Sequence, residues 1–233
     1  MKPKFEYKIR LHTEHVDGKG KLRLDSMLQI FQEISIAHVS SLGMPSSFTM
    51  AKNLIWVIGK ERIEIERLPQ YEEEISVRTW PGKRMIFIFP RYYEIADAKG
   101  HPIIRATSYW TLINFSTRKV ADPVKEGIEV ADESRGDELA CPMALRFPEL
   151  EKKTVFEPKF TDLDINGHVN NTKYMNVVQD LLPNDFLLNH DAKAIDIHWK
   201  KEIKIGDSVE IKYGLVDGAY CFGSDHFLIK IQY

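Results

Sequence analysis

What most narrows the possible folds of this chain is the order in which two periodicities occur. Met27, Ile30, Phe31, Ile34, Ala37 and His38 recur at three- and four-residue spacing, the mark of a helix with one apolar face. Ser26, with Gln29 three residues on, has the form of a capping box and sets the expected start, while Gly43 and Pro45 set the end. From there to about residue 121 only the two-residue period of strands is found. Ile63 and Ile65 alternate with Glu64 and Glu66, Ile75 and Val77 alternate with Ser76 and Arg78, and Met85 to Phe89 is an apolar run. Asp97-Ala98-Lys99-Gly100 separates the stretches 91–96 and 103–115 as a hairpin turn would.

The same order then returns. Phe156 to Phe160 reads as extended and Thr161 to Gly167 as a polar turn; Asn170 or Asn171 caps a helix with Tyr174, Val177, Val178, Leu181 and Leu182 on one face, which Pro183 ends. Strands are expected over 195–199, 208–213 and 227–231, the last two separated by a turn-rich stretch around Asp217-Gly218. A helix followed by antiparallel strands buries its apolar face most compactly when the sheet curls around it, so the reading is an α+β unit present in duplicate. The stretch from Glu126 to Pro148 has neither period, which divides the chain into residues 1–130, a linker over 131–150, and residues 151–233. The repeat is one of element order; identity between the halves is faint, as in 62–77 against 196–211.

Composition removes several classes of function. With 43% hydrophobic and 28% charged residues in 233, the chain can bury a core and is neither disordered nor fibrous. A net charge of -2 provides no field for nucleic acid, and no stretch reaches the ~18 apolar residues of a membrane span. The expectation is a cytoplasmic protein, without membrane insertion, whose Cys141 and Cys221 are reduced thiols.

The stretch with most chemistry is Asp162-Leu163-Asp164-Ile165-Asn166-Gly167-His168-Val169-Asn170-Asn171. In a flat strand Asp164 and His168 would stand ~13 Å apart, too far to act on one atom, so the segment must curl, with Gly167 as the residue free to do so. A carboxylate, an amide and an imidazole gathered there, beside a helix start, suit hydrolysis of an activated acyl group. An equally weighted reading is a self-bonded turn in which Asp164 and Asn166 satisfy their own backbone. Glu202 falls with His198 and Lys200 on the polar side of a strand, and pattern alone does not select it. Trp56, Phe87 and Trp110 line an acyl tunnel in one reading and fill a core in the other. His12 and His15 lack matching ligands, so neither a metal nor another cofactor is expected.

Residues 162–174, Asp-Leu-Asp-Ile-Asn-Gly-His-Val-Asn-Asn-Thr-Lys-Tyr, resemble the D-x-N-x-H-V-N-N-x-x-Y signature of the acyl-acyl carrier protein (ACP) thioesterases. Trp56-Val57, the block from Arg105 to Trp110, Thr117-Arg118-Lys119 and Trp199-Lys200-Lys201-Glu202 are similar to further family blocks. The resemblance implies tandem hotdog domains, an acyl pocket in the first and catalysis in the second by Asp164, Asn166, His168 and Glu202. The family position after that glutamate, often Cys in plant members, is Ile203 here, so a cysteine nucleophile is excluded. Two mechanisms follow: Glu202 and His168 deprotonate water, or Asp164 attacks to form a mixed anhydride. The implied partner is acylated ACP, for which Lys200, Lys201 and Lys204 are candidate docking residues and a solvated strand face is the equally weighted alternative, with the chain a monomer or homodimer. An acyl-CoA thioesterase, a hotdog hydratase and a non-catalytic acyl-binding module are the alternative readings.

Overall fold

A computed structural model of the chain describes residues 4–130, 134 and 136–233; residues 131–133 and 135 of the expected linker lie outside the described residues. The first half runs β1 (Phe5–Arg10), α1 (Leu24–Ser41), α2 (Ser46–Ala51), β2 (Leu54–Ile65), β3 (Glu74–Pro81), β4 (Phe89–Ala96) and β5 (Pro102–Asn114). The second runs β6 (Lys152–Phe156), α3 (Lys173–Gln179), α4 (Asn184–Asn189), β7 (Ala194–Trp199), β8 (Val209–Val216), β9 (Ala219–Gly223) and β10 (Phe227–Gln232).

All the strands belong to one ten-stranded sheet in the order β1-β3-β4-β5-β2-β7-β10-β9-β8-β6. Read inward from its two edges, each half has the same sequence of strands, first, third, fourth, fifth, second, so the duplication expected from element order is a duplication of topology. The halves join through antiparallel pairing of β2 with β7, in which Arg62 faces Asp196 and Ile63 faces Ile195. Arg62 Nη1 donates to Asp196 Oδ2 at 3.0 Å across this seam, with both side chains largely withdrawn from solvent.

α1 lays Met27, Ile30, Phe31, Ile34 and His38 against the sheet, as its spacing predicts. It starts at Leu24, two residues before the expected cap: Ser26 lies buried inside the helix, and Asp25 in the first turn pairs with Arg23. α3 packs on α1, and Asn176 Nδ2 donates to Asp25 Oδ2 at 3.0 Å. The hydrophobic core therefore runs through both halves, from Leu22, Met27 and Ile63 to Met175, Ile197 and Ile231.

Local periodicity misplaces several elements. Met85 to Phe89 is not one strand: Met85 bridges Ile88, and the chain reverses through Ile86 and Phe87, with Ile86 at φ 54° and 82% exposed. The turn-rich stretch around Asp217-Gly218 leads straight into a strand, β9, in which Cys221 is 1% exposed and burial pushes its thiol pKa up. The extended piece at Phe156 ends there, and 160–162 is a 3-10 turn. α2 and α4, six residues each, are too short to show a period.

Candidate active site

The signature loop closes on itself. Leu163 bridges Val169, Asp164 N–H donates to the His168 carbonyl at 2.8 Å, and Gly167 turns the chain at φ 75°, a left-handed conformation that glycine adopts without penalty. The Asp164 carboxylate fills the inside of this turn. Its Oδ1 accepts the N–H groups of Asn166 at 2.8 Å and His168 at 3.2 Å, and its Oδ2 accepts Asn166 Nδ2 at 3.3 Å. The self-bonded turn is thus present: the Asp164 carboxylate holds the Asn166 side chain and the backbone of Asn166 and His168.

Beyond the turn, His168 bridges Lys204, and Val169 N–H donates to the Ile203 carbonyl at 2.8 Å. This pairing brings Glu202 alongside: His168 Nε2 stands 3.3 Å from Glu202 Oε2, both side chains half-buried. Ile203, at the position after the glutamate, is 1% exposed and serves packing. Glu202 is pinned from the turn before β10, since His226 Nδ1 hydrogen-bonds the Glu202 carbonyl at 3.0 Å.

Glu202 has a second partner that no local pattern discloses. Arg118, in the turn after β5 and at φ 57°, donates from Nη2 to Glu202 Oε1. The result is a chain of contacts, Asn166, Asp164, His168, Glu202, Arg118, in which the last member comes from the first half. The His168 pKa is pushed below its ordinary value chiefly by partial burial, then by the positive charge of Lys204, with Asp164 opposing and Arg118 adding to the depression. Held below the ordinary imidazole value, His168 is a free base near neutral pH. Tyr174, also in the signature, is core: it packs edge-on to Phe227 at 5.2 Å, and burial raises its pKa.

The other sequence candidates separate. Trp110 lines a narrow cavity with Leu28, Phe31, Ile58, Glu61 and Trp199. Trp56 packs edge-on to Phe89 in a satellite cluster around Leu54 and Leu112, away from that cavity's lining. Phe87 sits on the exposed hairpin tip and does not line the cavity. Lys200, Lys201 and Lys204 are exposed around Glu202, although Lys200 Nζ already donates to the Ser224 carbonyl at 2.7 Å. α3 begins at Lys173 rather than directly after His168, and the Asn170 side chain accepts the Thr172 N–H at 3.0 Å in the interval. Among the described residues no helix is long and apolar enough to cross a membrane.

Helices held in the curl of a sheet that repeats its own strand order define a tandem hotdog protein. Solved structures agree on the fold: an acyl-ACP thioesterase from Bacteroides thetaiotaomicron superposes with a TM-score of 0.89 at 22% identity, covering 99% of this chain and 97% of that one. The 12:0-ACP thioesterase from Umbellularia californica superposes at 0.83 with 19% identity, covering 99% and 96%. Residues 2–130 match the acyl-ACP thioesterase N-terminal domain and residues 148–231 the C-terminal domain, and the chain belongs to this family. It is 27% identical to the chloroplastic oleoyl-ACP thioesterase 2 of Arabidopsis thaliana over 90% of this chain and 63% of that one. It is 24% identical to the chloroplastic palmitoyl-ACP thioesterase of Cuphea hookeriana over 85% and 51%. The chain thus spans between about half and three-fifths of the length of these relatives.

Proposed function

We propose that this protein hydrolyses the thioester of a fatty acyl-ACP and releases the free fatty acid, with the acyl chain taken up by residues 1–130 and the chemistry performed by residues 151–233. The observation that carries the reading is the contact of His168 with Glu202 at 3.3 Å, made by a turn that Asp164 holds. The Glu202–His168 pair takes a proton from water as the water oxygen bonds to the thioester carbon. Asn166 Nδ2 donates to the carbonyl oxygen as it becomes negative. When the tetrahedral intermediate collapses the C–S bond breaks, and the proton passes from His168 to the departing sulfur, giving fatty acid and thiol.

Both Asp164 oxygens already accept hydrogen bonds, which supports a positioning role and disfavours its attack on the substrate. Lys200, Lys201 and Lys204 on the rim suit an acidic carrier, and a cytoplasmic setting suits the two unpaired cysteines. A monomer and a homodimer both fit this reading, and sedimentation distinguishes them.

The test is thiol release from acyl-ACP by the wild type and by Asp164→Asn, Asn166→Ala, His168→Ala and Glu202→Gln. Losses of a hundredfold or more in kcat, with unchanged melting temperature, are expected for His168→Ala and Glu202→Gln. Wild-type rates in these variants refute the site, and conversion of enoyl thioesters without thiol release identifies a hydratase instead.

A further inference from the structure

The cavity lined by Trp110 has about 20 Å³ of free space, room for a water-sized group, and its mainly apolar and aromatic wall includes the carboxyl-bearing Glu61. The polarity begins with a bulge. The pairing of β2 with β5 shifts register between Ile58 and Lys60, so Ile58 before the bulge and Glu61 after it face the same side. Glu61 consequently continues the core-facing series of Ile63 and Ile65 and is 3% exposed.

The polar groups around it are committed to one another. Trp110 Nε1–H donates to Ser108 Oγ at 2.6 Å, Ser108 meets Tyr93 Oη at 3.1 Å, Tyr93 meets Ser35 Oγ at 2.9 Å, and Ser35 donates to the Phe31 carbonyl at 2.7 Å. Fixing the two ends of this chain fixes each hydroxyl proton: Ser108 donates to Tyr93 and Tyr93 to Ser35. None of these four groups has a donor left over for Glu61. Among the described residues the Glu61 carboxyl makes no hydrogen bond or ion pair, and Trp199, on the same cavity wall, has a buried indole N–H without a partner. Burial also pushes the Glu61 pKa up to about 8, so at neutral pH its carboxyl is protonated and donates as well as accepts.

We propose that Glu61 is a recognition point for an oxygen atom carried on the acyl chain, so that the pocket favours hydroxyacyl and oxoacyl thioesters over saturated ones of equal length. The inference rests on the acyl-thioesterase reading and deepens it by naming the substrate class. A protonated carboxyl without a partner on the cavity wall complements a hydroxyl or keto group. An alkyl segment passing the same point would seal it in an apolar contact without a partner, and a site built to bond an oxygen rejects the analogue that lacks it. The cavity also lies close in the chain to the candidate catalytic cluster: Asn171 and Thr172 of its wall follow His168, and Trp199 precedes Glu202.

The experiment is calorimetric titration of the intact protein with decanoate and with its 3-hydroxy, 10-hydroxy and 9-oxo derivatives, for the wild type, Glu61→Gln and Glu61→Leu. Thiol release from decanoyl- and 3-hydroxydecanoyl-ACP is measured on the same preparations. At least one oxygenated acid is expected to bind the wild type about tenfold more tightly than decanoate, the worth of one well-made hydrogen bond. Glu61→Gln, still a donor, retains most of that ratio, and Glu61→Leu abolishes it. The proposal is overturned if no acid binds the wild type, if decanoate binds it as tightly as every derivative, or if the ratio survives in Glu61→Leu. Thiol release without discrimination defeats this proposal alone, whereas discrimination without thiol release defeats the hydrolase reading alone.

Discussion

Glu61 offers a test of stability that needs no substrate. Its carboxyl titrates near 4.5 in an unfolded chain and, because burial disfavours the anion, near 8 in the folded one. Below pH 4.5 both states hold the proton and the group contributes nothing to the pH dependence. Between the two values the folded state keeps a proton that the unfolded state has released, so stability falls as pH rises, and above 8 the full loss is in place. Integrated over the interval the loss is about 5 kcal/mol, a large part of the ~5–15 kcal/mol that holds a domain together. Glu61→Gln keeps the shape and hydrogen-bonding capacity of the protonated acid and removes the titration. Urea unfolding of wild type and variant from pH 4.5 to 9 should show equal stability at the acid end and a growing advantage of Glu61→Gln, approaching ~4 to 5 kcal/mol at pH 9. Every other titrating group is common to the two proteins and cancels in the difference. A gap that stays within ~1 kcal/mol across the range refutes the buried, unpartnered carboxyl.

Three further outcomes follow from the site. Asp164→Asn retains an acceptor for the two turn N–H groups and should melt close to wild type while losing activity; Asp164→Ala leaves both without their acceptor and should cost an additional ~1–3 kcal/mol in urea unfolding. Arg118→Ala removes a positive charge that holds the His168 pKa down and frees a negative one beside it. The acid limb of the kcat/KM profile should therefore move to higher pH, and an unmoved limb argues against His168 as the base. If the lysines around Glu202 dock an acidic carrier, raising the salt from 50 to ~300 mM should raise KM for acyl-ACP several-fold and KM for acyl-CoA less. Equal shifts for the two substrates would remove those lysines from the docking surface.

The helix of the first half, most strands, and the bend at Gly167 could be read before any coordinates, because each follows from residues within a turn or a pleat of one another. Apolar spacing, a glycine where φ must be positive, and turn residues between strands are local causes. The signature turn was legible in the same way, since Asp164 bonds the backbone of Asn166 and His168 within it. Even Glu61 left a trace: it has the parity of Ile63 and Ile65, on the face that a strand buries. Where local causes compete, reading failed. An apolar run became an exposed hairpin tip at Ile86 and Phe87, and Ser26 was drawn into the helix it was expected to cap.

Other features depend on groups brought together by folding alone. The joining of two sheets into one through β2 and β7, the approach of Arg118 to Glu202 from 84 residues away, and the cavity that Glu61 lines have no counterpart in any window of the chain. Periodicity reports which side of an element seeks burial; it does not report which other element will cover that side, or which polar group will be left facing a gap. Those choices arise when long-range pairs compete for the same space, and in this protein they bring Arg118 to Glu202 and leave Glu61 on a cavity wall.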